Sequence, residues 1–264
     1  MYPDLKNKII IVTGGAGSIG MATVKAFLEN KCRVVVVDKD ENKLKDFEQE
    51  LGSRAKFIKA DLSQPKQAEE AIKQAIESFG GVNILVNLAG VAFGGDVTEI
   101  DEETYWKDIN NNLTSTFFCA KTALSHMKEN GGGVIVNISS INSIIGIGEV
   151  SYSAAKAGIN SLTKTTAVRY GRYGIRCNSL LLGTIKTDVP SWQERLKKDP
   201  LIFQKIASKN PRKKVGTPEE SANLILFLAS DASSLINGAD IIADGGWALT
   251  VGTIREKEGP WWED

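Results

Sequence analysis

Short apolar runs alternate along the chain with longer stretches in which apolar residues recur every three to four positions. Residues 9–12 are uninterrupted apolar, and a glycine-rich stretch then leads into a helical pattern over Ile19, Thr23, Ala26 and Phe27. Residues 34–37 are four valines in a row, the pattern of a parallel strand buried on both faces. Residues 41–51 read as a polar helix and 56–59 as a third strand. Ser63, with Pro65 two residues on, reads as the cap and first turn of a helix running over residues 67–79. Residues 84–87, 134–138, 175–181 and 241–243 supply the remaining strands, and a further helix starts near Pro218. This regular alternation predicts an α/β fold: a doubly wound, Rossmann-like parallel sheet of about seven strands with helices on both faces. Residues 1–249 are expected to form one domain. Within it, residues 187–215 are a long polar insertion of the kind that closes over a site. Residues 250–264 form a charged tail carrying Trp261 and Trp262, a pair costly to leave in water.

Composition narrows the partners. The 264 residues hold 32 Lys and Arg against 32 Asp and Glu, so no global basic field gathers nucleic acid or anionic lipid. No apolar run nears the ~18 residues that a membrane span needs. The start lacks a charged leader followed by an apolar core, which favours the cytoplasm. Cys32, Cys119 and Cys177 are scattered, and His126 is the one histidine, so no metal site is expected.

The chemistry begins at the first strand–helix turn, Thr13-Gly14-Gly15-Ala16-Gly17-Ser18-Ile19-Gly20. Glycines there let the backbone turn tightly and approach a pyrophosphate, which then faces the N–H groups and dipole of the following helix. Asp38 ends the second strand, about 20 residues on, where a carboxylate accepts ribose hydroxyls and repels a 2′-phosphate. NAD is therefore favoured over NADP, unless Asp38 or Asp40 only caps the next helix. Asp61-Leu62 and Asn87-Leu88-Ala89-Gly90 follow the third and fourth strands, at the sheet edge where ligands bind in such folds. Asp61 suits the turn before Ser63 equally well. Tyr152 and Lys156 lie four apart in a helical stretch and project from one face. A nearby ammonium favours the phenolate, so the pair could take a proton from an alcohol. The same spacing also fits a half-buried ring beside a snorkelling amine. Ser139-Ser140 ends the fifth strand, and Asn110-Asn111-Asn112 interrupts a helix where asparagine is unfavoured. Asn112 is placed to hold a water that passes protons to Lys156.

These residues resemble the short-chain dehydrogenase/reductase family from about Leu5 to Gly246. The family's Tyr-x-x-x-Lys motif matches Tyr152 and Lys156, its serine matches Ser140, its asparagine before Leu-Thr matches Asn112, and its Asp-Gly-Gly matches Asp244-Gly245-Gly246. The resemblance implies that Tyr152 is the catalytic base, that Lys156 also holds the nicotinamide ribose, and that Ser140 steadies the substrate. It further implies that Gly183, Ile185 and Thr187 border the nicotinamide, and that the protein is a homo-oligomer, a dimer or tetramer. Three positions depart from the pattern: Ser18 replaces a glycine, Leu88 an asparagine and Leu182 a proline. The spacing Gly14, Gly17, Gly20 is similar to that of an extended branch of the family, but the chain has no room for that branch's further domain. The expected activity is NAD-linked oxidation of a secondary alcohol or a sugar hydroxyl, with Gln193, Glu194 and Arg195 lending polarity to the substrate loop. An NAD(P)H-dependent carbonyl reductase of the 3-oxoacyl type and a silent nucleotide-binding regulator are the alternatives.

Overall fold

The computed structural model describes residues 1–250. Seven parallel strands among them form one sheet in the order β3-β2-β1-β4-β5-β6-β7. They are β1 (Ile9–Thr13), β2 (Arg33–Asp38), β3 (Ala55–Lys59), β4 (Ile84–Asn87), β5 (Gly133–Ser140), β6 (Ile175–Leu182) and β7 (Asp240–Ala243). The helices are α1 (Ser18–Glu29), α2 (Glu41–Leu51), α3 (Pro65–Phe79), α4 (Glu102–Ile109), α5 (Ser115–Glu129), α6 (Val150–Tyr170), α7 (Pro190–Lys198), α8 (Ile202–Ser208), α9 (Pro218–Ala229) and α10 (Trp247–Thr250). No helix among the described residues is long and apolar enough to cross a membrane. The charged tail with Trp261 and Trp262 lies outside the described residues.

The valine run shows why the sheet is covered on both sides. Alternate strand residues point to opposite faces. Val34 and Val36 join one core with Val24 and Phe27 of α1, Phe47 of α2 and Ile225 of α9. Val35 and Val37 join the other, with Ile72 of α3 and Cys119, Leu124 and Met127 of α5. All four valines are fully buried, and each stabilises the fold by about 1.5–3 kcal/mol. Two aliphatic cores, one on each face, thus need no polar alternation along β2.

Two local expectations change. The helix after β3 starts at Pro65 with Gln64 as its cap, and Gln64 makes no capping bond. Ser63 lies one residue before the cap, because Pro65 takes the first helical position; its hydroxyl donates to Asp61 Oδ1 at 2.8 Å, closing a turn in front of the helix. The triple asparagine lies in a single π-helical turn, Asn110–Thr114, that joins α4 to α5. Strand β5 runs on to Ser140 because it pairs with β6 along its whole length.

The strand order reverses beside β1, which pairs with both β2 and β4. A crevice opens there at the carboxyl ends of the strands. Thr13 ties its two sides: its hydroxyl accepts from the N–H groups of Leu88 at 3.1 Å and Ala89 at 3.2 Å.

Candidate active site

One cavity of about 600 Å³ lies along this edge, a size suited to a ligand of cofactor class. Gly14, Gly17, Ser18, Ile19, Asp38, Asp61 and Leu62 line one part, and Ser140, Tyr152 and Lys156 another, with Ala89, Gly90, Gly183, Ile185 and Thr187 also on its walls. Most site residues expected from the sequence therefore meet in one space, and three stand behind its wall. Gly20 packs inside the turn, where a Cβ would come within 2.6 Å of Gly15 Cα. Asn87 is buried and donates to Asn137 Oδ1 at 2.9 Å, in a polar ladder that continues from Asn137 to Thr163. Asn112 is fully buried and lies behind Gly90.

The glycine turn fits a pyrophosphate. Gly14 has φ +64°, and a Cβ there would meet Ala89 Cα at 2.8 Å, so the fold itself demands glycine. Gly17 differs: its φ is −79°, and a Cβ would touch only Gly14 O, at 3.5 Å. The fold makes no demand at position 17, yet the residue lines the cavity, as in a cradle kept open for a ligand. Asp38 is fixed by the turns around it. Its Oδ2 accepts the Ala16 N–H at 3.0 Å and its Oδ1 the Asp40 N–H at 3.1 Å. The cap of α2 is Asp40, which accepts from the N–H groups of Asn42 and Lys43. Asp38 is thus free of that task and faces the cavity. Asp61 belongs to the turn before α3, its Oδ1 accepting the Ser63 N–H and hydroxyl, and it also lines the cavity.

At the other end, Ser139 and Ser140 separate in role. The Ser139 hydroxyl donates to Lys156 O at 3.2 Å, while Ser140 reaches the Tyr152 phenol. Lys156 Nζ donates to Ile138 O at 2.9 Å and stands 5.4 Å from the Tyr152 ring centre. The ammonium does not dominate the phenol. Burial pushes Tyr152 up to about 12, the Ser140 hydrogen bond opposing it and the charges of Glu149 and Asp108 adding to it. The expected depression of the phenol is therefore reversed, because desolvating a phenolate outweighs its hydrogen bond. Burial also pulls Lys156 down to about 8. Asn112 donates to Val91 O and Asp108 O, both at 2.8 Å, and its Oδ1 is buried without a partner. A Cβ on Gly90 would lie 2.5 Å from that Oδ1 and 3.1 Å from Lys156 Nζ, so glycine keeps open a gap that both groups border.

Further wall residues come from places with weaker signals. Lys39, Asn111, Asn142, Glu149, Trp192 and Trp247 line the cavity, and their scattered positions form no motif. Of the polar trio in the substrate loop, Arg195 lines the cavity but Gln193 and Glu194 do not. Arg195 pairs with Glu149 at 2.8 Å and stacks over Trp192 at 4.9 Å. All three cysteines are buried, and burial pushes each thiol up to about 12, which leaves them poor nucleophiles.

Known proteins share this layout. A family model described as enoyl-(acyl carrier protein) reductase matches residues 14–248. The L-rhamnose-1-dehydrogenase of Scheffersomyces stipitis is 36% identical over 251 residues, spanning 92% of this chain and 96% of that one. The 3-alpha-(or 20-beta)-hydroxysteroid dehydrogenase of Mycobacterium tuberculosis is 35% identical over 268 residues, 99% of each chain. Among solved structures, an oxidoreductase of the short-chain dehydrogenase/reductase family from Burkholderia thailandensis matches with a TM-score of 0.85 at 33% identity, over 92% of this chain and 94% of that one. The aldohexose dehydrogenase of Thermoplasma acidophilum matches with a TM-score of 0.85 at 26% identity, over 94% and 97%. The likeness runs through sequence and backbone over nearly the whole length, and the chain belongs to the short-chain dehydrogenase/reductase family, oxidoreductases that use nicotinamide cofactors and act on CH–OH groups.

Proposed function

We propose that the protein is an NAD-dependent dehydrogenase that moves hydride between a secondary alcohol or sugar hydroxyl and the nicotinamide, with Tyr152 as the base. The observation that carries this reading is the single cavity that joins the glycine turn and Asp38 to Ser140, Tyr152 and Lys156. The dinucleotide, when bound, supplies the hydride acceptor. The backbone of Gly14, Gly17, Ser18 and Ile19 holds its pyrophosphate, Asp61 and Leu62 border the adenine side, and Ala89, Gly90, Gly183, Ile185 and Thr187 border the nicotinamide side.

Asp38 supports NAD over NADP. Its two oxygens each keep a lone pair for a ribose hydroxyl, and a 2′-phosphate would meet a carboxylate held in place by two N–H groups. The neighbouring Lys39 does not compensate, because its Nζ donates across the cavity to Asn111 Oδ1 at 3.1 Å.

At the reacting end, Ser140 and Tyr152 hold the substrate oxygen between them. With its pKa at about 8, Lys156 is mostly protonated at neutral pH, and its charge favours the phenolate as the alcohol's proton transfers. The proton then leaves Tyr152 by way of Lys156 and a water held on Asn112 Oδ1. The substrate wall mixes Asn142, Glu149 and Arg195 with Trp192, Ile147 and Val189, a surface suited to a hydroxylated ring.

The test is to follow reduced-cofactor absorbance with NAD and with NADP over aldoses, secondary alcohols and hydroxyacyl thioesters. Tyr152→Phe is expected to lower kcat by about 10²–10⁴-fold while NAD affinity holds. Full activity in that variant removes Tyr152 from the mechanism, and a clear preference for NADP removes the role given to Asp38.

A further inference from the structure

Position 18, where a serine interrupts the glycine pattern, is tied to a distant part of the chain. The Ser18 hydroxyl donates to Asp188 Oδ1 and accepts the Asp188 N–H at 3.2 Å. Lys43 Nζ of α2 stands 4.0 Å from Asp188 Oδ2. The Ser18 hydrogen bond, with a smaller contribution from the Lys43 charge, holds the Asp188 carboxyl below the usual carboxylate range. Ser18 is the first residue of α1. An anion belonging to the chain itself therefore sits at the helix end whose free N–H groups and dipole suit a phosphate.

Asp188 also lies at a mechanical junction. A lone β-bridge joins Ile185 to Gly216, with Lys186 N–H to Gly216 O and Gly216 N–H to Thr184 O both at 2.9 Å. Residues 187–215 leave and return through this bridge, and Asp188 is the third residue beyond it. The same segment carries Trp192 and Arg195 to the substrate wall, where the Arg195–Glu149 pair makes a second tie. The Trp192 and Phe203 rings, 4.9 Å apart, hold α7 against α8.

We infer that Asp188 is an internal stand-in for the pyrophosphate: held by Ser18, it latches residues 187–215 across the glycine turn, and entry of a pyrophosphate releases it. The inference rests on the dinucleotide reading above. Two anions compete for one helix end, so whatever binds there must bind the unlatched form better, and the equilibrium shifts by that difference. Release of Asp188 removes one of two ties on the segment bearing Trp192 and Arg195, the other being the Arg195–Glu149 pair. Ser18 and Asp188 are positioning residues in this scheme and touch no reacting atom.

Calorimetric titration of the full chain with two probes tests it. ADP-ribose carries the pyrophosphate, and adenosine does not. Ser18→Ala, which keeps the Asp188 charge but removes its holder, is expected to tighten ADP-ribose binding threefold or more. Asp188→Asn is expected to tighten it tenfold or more. Neither variant should change adenosine binding. In the ligand-free protein, Ser18→Ala should also speed backbone amide exchange over residues 187–198 at least threefold. Equal ADP-ribose affinity in wild type and both variants overturns the latch and leaves the dinucleotide reading intact. Weaker binding by Ser18→Ala shows the hydroxyl serving the phosphate directly and likewise overturns the latch. Failure of ADP-ribose to bind any of the three proteins overturns both readings.

Discussion

Replacing Lys156 with methionine should make the ligand-free protein more stable while abolishing turnover. The side chain is 3% exposed, and burial pulls its ammonium from 10.5 down to about 8. At ~1.4 kcal/mol per pH unit, that difference makes the charged side chain destabilising by about 3 kcal/mol at pH 7. Methionine has a similar length and no charge, but it leaves Ile138 O without its donor, a loss of about 1 kcal/mol. The net gain of about 2 kcal/mol corresponds to a rise of roughly 4–8 °C in Tm for a chain of this size. The pH dependence identifies the cause. Between pH 8 and 10.5 the unfolded chain still binds the lysine proton while the folded protein has released it. Wild-type stability therefore rises with pH across this window. The variant lacks that rise, so its advantage should shrink by about 2 kcal/mol between pH 7 and pH 10. Tyr152 titrates at higher pH in both proteins and cancels in the comparison. Urea unfolding followed by tryptophan fluorescence at pH 7 and pH 10 measures both quantities. A variant less stable than wild type at pH 7, or an advantage that does not change with pH, would refute the reasoning.

Other substitutions separate fold from site. Gly20→Ala drives a Cβ to within 2.6 Å of Gly15 Cα and 2.7 Å of Gly15 C and should destabilise by about 1–3 kcal/mol. Gly17→Ala meets nothing closer than 3.5 Å; its melting temperature should stay within 2–3 °C of wild type, about 1 kcal/mol, while NAD affinity falls. Paired thermal scans and NAD titrations check this contrast. Asp38→Ala should raise the NADP-to-NAD ratio of kcat/KM by about tenfold or more, since one like charge facing a phosphate commonly costs over 1.4 kcal/mol. An unchanged ratio would clear Asp38 of cofactor selection. The Glu149 charge raises the Tyr152 pKa, so Glu149→Gln should move the basic group in the kcat/KM profile to lower pH. Arg195→Ala, by unpairing Glu149, should move it to higher pH.

The fold was legible wherever one physical rule decided the outcome. Four consecutive valines could only suit a strand covered on both faces, and β2 is such a strand, with two residues in each core. Element boundaries are less legible than elements. Ser63 has the composition of a cap, yet Pro65 takes the first helical position, which leaves Ser63 one residue too early and Gln64 at the cap without a capping bond. The π-helical turn at Asn110–Thr114 left only an indirect trace, three asparagines in a helix that disfavours them, because the turn is set by buried bonds from Asn112 to Val91 O and Asp108 O.

The candidate site divides along the same line. Gly14, Ser140, Tyr152 and Lys156 line one cavity, and each is constrained by its own short segment: a turn, a strand end, one face of a helix. Gly20 and Asn87 carry the same pattern but act one layer back, Gly20 by letting the turn close on itself and Asn87 by bracing β4 against β5. Sequence position alone does not distinguish lining a cavity from supporting its wall. Contacts joining segments 46 and 170 residues apart, Arg195 to Glu149 and Asp188 to Ser18, leave no local signature at all. Neither tie is required by the core. An exposed ion pair or hydrogen bond of this kind is worth only about 1 kcal/mol or less to folding, too little for composition or periodicity to record. Those same ties set where residues 187–215 lie against the cavity, and through Trp192 and Arg195 they shape its wall. The family is therefore written in strong local constraints, whereas the wall that residues 187–215 give the cavity rests on weak long-range ones, which is why the first is legible in the sequence and the second is not.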